Sequence, residues 1–280
     1  MKNLASILKL ALVQATLAVA CSGIWQMARA DQTLILGSTT TTEQSGLLTQ
    51  LLPAFTKDTG IAVKPIILGT GQVLDAARRG DVDALLTHDR ESEEKFIAEG
   101  FGIKRFEVMY NDFILIGPSN DPAKVAGRDI ARAMLALARS KATFYSRGDK
   151  SGTHQAELRY WQMGGLKDKS QWGANYKECG CGVGQALNLA AATEAAYVLA
   201  DRGSWLNFKN RRGLKILVEG DSRLFNQYGT TVVSPAKHLH IKVKEAQAFV
   251  DWITGARGQA AINAYKIDGD QLFFANAKTK

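Results

Sequence analysis

Short apolar runs that read as strands alternate with amphipathic runs that read as helices along almost the whole chain, and this alternation limits the fold more than any other feature. Thr33-Leu34-Ile35-Leu36 reads as a first strand, and Leu47, Leu48, Leu51, Leu52 and Phe55 then recur at helical spacing up to the Asp58-Thr59-Gly60 stop. Pro53 falls inside that helix and is expected to kink it or end it early. Val63 to Leu68 reads as the next strand, followed by Gly69-Thr70-Gly71 and a helix that ends at Gly80. Further strands are expected over Val82 to Leu86 and Glu107 to Gly117, with a helix from Glu91 to Ala98 between them. An alanine-rich helix over Val125 to Ser140, a strand over Ala142 to Tyr145, a loop from Ser146 to Ser151 and a helix to Gln162 come next. The tail from Ala236 to Tyr265 reads as helical, with Phe249 and Trp252 facing a core. Such a succession is the pattern of an α/β protein with parallel sheets. The expected design is two Rossmann-like α/β lobes around a central cleft, lobe 1 over 31–117 plus 229–280 and lobe 2 over 118–228.

The first thirty residues follow the logic of export. Lys2 supplies a positive start, an apolar stretch runs from Leu4 to Ala20 broken by Lys9 and Gln14, and Ala28-Arg29-Ala30 is an A-x-A cleavage signature before Asp31. A membrane anchor would need about 20 mainly apolar residues without an interior charge, so the reading is a cleaved signal peptide and a periplasmic product. The alternative is a lipoprotein anchored through Cys21, against which Ala18 stands at the position that normally carries Leu. Cleavage removes three cations and no acid, so the formal charge falls from +8 to +5. The remaining cations are scattered, without the basic stripe of a nucleic-acid binder. Cys179 and Cys181 stand in a C-G-C arrangement, tight for a disulfide and short of ligands for zinc, which leaves two free thiols or a reducible bridge.

Three loops between an expected strand and an expected helix share a chemistry. Gly37 to Gly46 carries Ser38-Thr39-Thr40-Thr41-Thr42, in which Thr40 with Glu43 and Thr41 with Gln44 each fit a capping box. Hydroxyls at a helix N-terminus sit beside free N–H groups and roughly half a positive charge, which favours anions. Gly69-Thr70-Gly71 flanks a hydroxyl with glycines that allow close backbone approach. Ser146 to His154 adds Arg147, whose fork of donors suits a tetrahedral oxyanion, and Ser151, a candidate cap that leaves the N–H groups of Gly152 and Thr153 available. Asp149 either holds Arg147 or faces solvent. The Arg-Gly-Asp tripeptide is read as a chance match to an adhesion motif.

These motifs carry a specific resemblance. The threonine run with Ser45-Gly46-Leu47-Leu48, then Gly69-Thr70-Gly71, Gly80-Asp81-Val82-Asp83-Ala84-Leu85-Leu86 with His88, Val108-Met109-Tyr110-Asn111-Asp112-Phe113, Ser146-Arg147-Gly148-Asp149 with Ser151-Gly152-Thr153-His154, and Gly182-Val183-Gly184 follow one another in family order. The chain resembles the tungstate-binding proteins of ABC transporters, a branch of the two-lobed periplasmic oxyanion binders. The resemblance implies type II periplasmic binding protein architecture, no cofactor, tungstate or molybdate as ligand, and a membrane permease with its ATPase as partner of a monomer. It implies Thr39, Thr40, Thr70, Arg147, Ser151 and Thr153 as ligand contacts, with Val183 as a backbone candidate. The family carries methionine where Val183 stands and usually lacks Cys179 and Cys181, and Asp89 replaces a small residue.

None of the three loops is expected to turn a carboxylate towards the ligand, and a site selecting a protonated anion benefits from such an acceptor. Phosphate therefore ranks below tungstate, molybdate and sulfate. A secreted hydrolase is the rival class: His154 and Glu157 lie three apart on one helix, and His88-Asp89 can be drawn as a dyad. No G-x-S-x-G or H-E-x-x-H motif accompanies them, so both histidines read as structural hydrogen-bonders and the chain as a binder without catalytic residues.

Overall fold

Alternate residues of the central strands point to opposite faces of a sheet, and both sets are apolar, so helices are needed on both sides. The computed structural model describes residues 32–278; the expected signal peptide and Cys21 lie outside the described residues. In chain order the elements are β1 (Thr33–Thr39), α1 (Thr40–Gln44), α2 (Leu47–Thr59), β2 (Ala62–Leu68), α3 (Thr70–Arg79), β3 (Ala84–Thr87), α4 (Arg90–Ala98) and β4 (Phe106–Pro118). There follow α5 (Ile130–Arg139), β5 (Thr143–Ser146), α6 (Gly152–Met163), β6 (Tyr176–Glu178), α7 (Val183–Ala192), β7 (Ala196–Asp201), α8 (Arg202–Asn207), β8 (Leu214–Val218) and β9 (Phe225–Val232). The chain ends in α9 (Val243–Thr254), α10 (Ala256–Ala264) and the short strands β10 (Lys266–Ile267), β11 (Asp270–Gln271) and β12 (Phe274–Ala275).

The strands run β2-β1-β3-β9-β4-β7-β5-β6 across the molecule. At both ends the pairing is parallel, β1 with β2 and β3, and β5 with β6 and β7. The middle departs from the expected parallel pattern: β9 runs antiparallel to β3 and β4, and β4 antiparallel to β7 and β8. One long strand serves both halves. Phe106 to Asp112 of β4 pairs with β9, and Phe113 to Ile116 pairs with β7.

Four apolar clusters follow from this. Leu34, Leu36, Ala84 and Leu86 pack under α2, α9 and α10 against Phe55 and Phe249, while Leu85, on the other face of β3, packs with Val73, Leu74 and Phe96 of α3 and α4. In the other half Phe113 and Leu115 face Met134 of α5 and Trp161 of α6, and Ile114 and Ile116 face Val183 and Leu187 of α7. The period-two split within β4 is the geometric reason a single strand feeds two cores.

Several expected boundaries move, each for a local reason. Pro53 does not end α2, which continues to Thr59 because Leu47, Leu48, Leu51 and Phe55 are buried along one face on both sides of the proline. The helix expected from Val125 starts only at Ile130, where Asp129 caps it by accepting from the Arg132 N–H at 3.0 Å. The segment before it turns through left-handed residues Asp121 and Lys124. The helical tail starts at Val243 and breaks at Gly255. The preceding turn docks instead, His238 and His240 bonding the Arg78 and Gly80 carbonyls at 2.8 and 2.9 Å.

Candidate anion-binding site

Four parallel strands end in one region, and each hands over to a helix N-terminus there: β1 to α1, β2 to α3, β5 to α6 and β6 to α7. Arg147 leaves the end of β5 and bonds residues of the β1–α1 and β6–α7 junctions as well as its own, while Thr70 of the β2–α3 junction meets Gly152 instead. Its guanidinium is buried, with 1% of the side chain exposed. Nη1 donates to Thr41 Oγ1 at 2.9 Å and to Thr153 Oγ1 at 3.3 Å; Nη2 donates to Thr40 Oγ1 at 2.8 Å and to Asp149 Oδ2 at 2.5 Å. Nε points to the carbonyl of Cys181 at 3.4 Å. The first and third loops are thus joined through one side chain, although more than a hundred residues separate them.

The hydroxyls share one use. Thr40, Thr41 and Thr153 accept from Arg147, Thr70 accepts from the Gly152 N–H at 2.9 Å, and Ser151 caps α6 by accepting from the His154 N–H at 3.2 Å. A hydroxyl whose lone pair is taken by a protein N–H still has its own proton to give. The region is therefore a cluster of O–H donors around a guanidinium, and hydrogen bonding to N–H groups polarises those donors further.

Expected site residues fall into three groups. Thr40, Thr70, Arg147, Ser151 and Thr153 are brought together and buried or nearly so. Thr39 lies at the same junction, but its oxygen caps α1, bonding Thr42 N at 3.2 Å and Thr42 Oγ1 at 2.8 Å; the capping boxes expected at Thr40 and Thr41 are displaced by one or two residues because β1 runs on to Thr39. Val183 is buried as the first residue of α7, two positions beyond the carbonyl that meets Arg147. Thr41 belongs to the site and was visible only as part of the threonine run. The Cys181 carbonyl carries no side-chain signal and has none in sequence. The glycines of the second loop allow a different approach from the expected one: a Cβ at Gly69 would stand 3.0 Å from the Asp149 carbonyl and one at Gly71 3.1 Å from Lys150 Cβ, so the close neighbour is the third loop.

Asp149 holds Arg147 and does not face away. The expectation that no carboxylate reaches the site is therefore not met, and discrimination against protonated anions does not follow from a missing acceptor. Two more carboxyls lie deeper. Glu157 is buried one helical turn beyond Thr153, and burial lifts its pKa to about 7 against hydrogen bonds that include those from Trp161 Nε1 and Tyr176 Oη. Asp201 is raised by burial as well, against bonds from Ser204 and the attraction of Arg147. Burial lowers the Arg147 pKa, and Asp149 opposes that shift most strongly.

A relay of buried amides reaches Asp201 from the lobe junction: Asn111 Nδ2 donates to Asp201 Oδ2 at 3.2 Å and Asn226 Nδ2 to Asn111 Oδ1 at 2.6 Å. Asn226 Oδ1 then receives the proton of His88 Nδ1 at 3.1 Å, which assigns the tautomer. Burial lowers the His88 pKa to about 4, so the ring is neutral. Asp89 does not orient it. That carboxylate caps α4 and pairs with Arg159 Nη1 at 3.0 Å, so the His88-Asp89 dyad does not form. His154 likewise accepts from the Lys150 N–H at 3.1 Å. Both histidines are structural.

A model described as PBP superfamily domain matches residues 27–257. The chain is 42% identical to the tungstate-binding protein TupA of Peptoclostridium acidaminophilum, covering 99% of each. Among solved structures, that of the tungstate ABC transporter from Geobacter sulfurreducens is 44% identical and superimposes with a TM-score of 0.76, over 85% of this chain and 100% of that one. The tungstate-binding protein TupA of Desulfovibrio alaskensis G20 is 40% identical with a TM-score of 0.74, over 88% and 99%. The mixed α/β architecture with its shared strand is that of type II periplasmic binding proteins. The chain belongs to the PBP superfamily, in the tungstate-binding-protein family of ABC-transporter substrate-binding proteins, a family of binders and not of enzymes.

Proposed function

We propose that this protein captures tungstate as an unprotonated tetrahedral dianion and delivers it to a membrane permease driven by an ATPase, with molybdate the nearest alternative and sulfate and phosphate behind. The observation that carries the reading is the use of hydroxyls at the site: five of them spend lone pairs on protein N–H groups and keep O–H donors beside a buried guanidinium. Thr39, Thr40, Thr70, Arg147, Ser151, Thr153 and the N–H of Val183 are the proposed contacts, and Thr41 is added to them. An entering anion takes over part of the guanidinium from Thr40, Thr41 and Asp149, whose carboxylate keeps Arg147 paired while the site is empty. Charge-assisted hydrogen bonds contribute about 1.5–3 kcal/mol each, so six or seven partly used donors reach the roughly −12 kcal/mol of a nanomolar complex. No metal ligation by side chains is involved, and no cofactor takes part.

The mature protein is proposed to begin at Asp31 after export to the periplasm, without lipid on Cys21, and to act as a monomer. The lobes are proposed as 31–117 plus 229–280 and 118–228, with the hinge in β4 at Asp112-Phe113, where its pairing changes from β9 to β7. Calorimetric titration with tungstate, molybdate, sulfate and phosphate in turn tests the assignment, tungstate and molybdate being expected to bind most tightly. Arg147→Lys keeps the charge and removes the fork, and is expected to weaken tungstate at least about a hundredfold. Tight binding by that variant, or none of the four anions binding the parent, defeats the reading.

A further inference from the structure

Cys179 and Cys181 form a disulfide, with Cα atoms 5.1 Å apart. This resolves the alternatives left by the C-G-C arrangement, and it puts the bridge against the one residue on which the site depends. The Cys179 N–H donates to the Ser146 carbonyl and the Cys181 N–H to the Arg147 carbonyl, each at 3.0 Å, continuing the β5–β6 pairing by two hydrogen bonds. Cys181 returns its own carbonyl to Arg147 Nε at 3.4 Å. Cys179 Sγ lies 3.7 Å from the Arg147 carbonyl. The intervening Gly180 is left-handed with φ +62, and the chain then passes through Gly182 into the first turn of α7. Arg147 is thus held at both backbone and side chain by a three-residue ring, which also sets where the α7 N-terminus starts. The bridge lies at the surface, in a hollow it lines with Gln185, Asn188 and the part-exposed Leu189, within reach of a small reductant.

We propose that the Cys179–Cys181 disulfide is a positioning element of the anion site, and that its reduction loosens the grip on the anion by freeing the Cys181 carbonyl from Arg147 and releasing the segment that leads into α7. In exchange with a dithiol, the protein bridge takes two electrons and two protons to become two thiols while the partner becomes a disulfide. A three-residue loop removes little freedom from the unfolded chain, so the effect belongs to the site and not to global stability. The inference rests on the anion-binding reading, and the test separates the two.

Tungstate is titrated into the oxidised protein and into protein reduced with a trialkylphosphine, which becomes the phosphine oxide as water supplies its oxygen and the two thiol protons. The expected result is a Kd about tenfold weaker after reduction, the loss of one bond to a charged donor. Reoxidation restores it, while the thermal midpoint of the empty protein barely moves. Cys179→Ser/Cys181→Ser should match the reduced protein and ignore the phosphine. Hydrogen exchange over 146–154 and 179–185 reads the same loop with no anion present, and faster exchange on reduction is expected. Equal Kd in both states, or unchanged exchange, overturns the proposal. An oxidised protein that binds none of the oxyanions overturns the functional reading, and the exchange result then decides whether the bridge positions Arg147.

Discussion

Glu157 shows how a buried acid beside the site makes the molecule sensitive to pH. Its Oε1 takes hydrogen bonds from Trp161 Nε1 at 3.0 Å and Tyr176 Oη at 2.9 Å, and its pKa rises from 4.5 to about 7 through burial. The folded state therefore keeps a proton that the unfolded chain gives up near pH 4.5. This group's contribution to stability is full below pH 4.5, declines as pH climbs to about 7, and amounts to about 3 kcal/mol across that window. Thermal unfolding from pH 4.5 to 8 should show that fall, and Glu157→Gln, which can still accept both bonds, should flatten it; an unchanged slope counts against the assignment. Above pH 7 the ionised carboxylate also competes for Arg147, so anion affinity should weaken there in the parent and less so in the glutamine variant. Arg147 was legible in the sequence because it is the one guanidinium, with a fork of donors suited to an oxyanion, in a hydroxyl-rich loop. Glu157 and Asp201 were not, since a carboxyl on a helix or strand end is normally exposed and nothing in the spacing announces burial.

At the helix N-termini capping is in place and donor supply is proposed, and the two can be separated by substitution. Ser151 caps α6 through the His154 N–H. Replacing a cap by alanine costs about 1 kcal/mol and by glycine only a few tenths. Ser151→Ala should therefore lower the unfolding midpoint more than Ser151→Gly, while both lose anion affinity to a similar degree if the hydroxyl is a contact. Affinity that tracks stability across the pair makes Ser151 a cap alone. Thr39, bonded twice to Thr42, is expected to behave as the cap of α1, with Thr39→Ala costing about 1 kcal/mol in chemical denaturation. Elements with clear end signals, such as α3 stopping before Gly80 and α6 starting after Ser151, were read within a residue or two. The α5 start was missed because left-handed turns at Asp121 and Lys124 lack glycine, and the antiparallel middle of the sheet was missed because alternation of types says nothing of strand direction.

At the scale of the molecule, Arg147 to Thr40 and Thr41, and Gly152 to Thr70, join the half of the sheet that holds β1 and β2 to the half that holds β5 and β6. The proposed hinge in β4 predicts a change of shape on binding. Small-angle scattering should show a smaller radius of gyration when tungstate is added to the empty protein, and an unchanged radius at saturation would mean that these contacts alone keep the lobes shut. A thousandfold excess over Kd should add about 4 kcal/mol to stability, read as a rising thermal midpoint. The two-lobed design was legible from length and alternation, but the shared strand was not, because Phe106 to Pro118 reads simply as one long run.

That shared strand also dictates an order of assembly. The sheet half served by β5, β6 and β7 is spliced into the chain between β4 and β9, whereas Leu34, Leu36 and Phe55 await Phe249, Ile253 and Ile262 from the far end. Lys242 Nζ meets the Thr33 carbonyl at 2.7 Å and Trp252 Nε1 meets Asp58 Oδ2 at 2.8 Å, contacts that join the chain's beginning to its last quarter. A polypeptide threaded across a membrane from its N-terminus would finish the inserted half first and carry the other as an unclosed shell until the last helices emerge. Thr40 and Arg147 would then meet only once that shell has closed, so the site would be completed last.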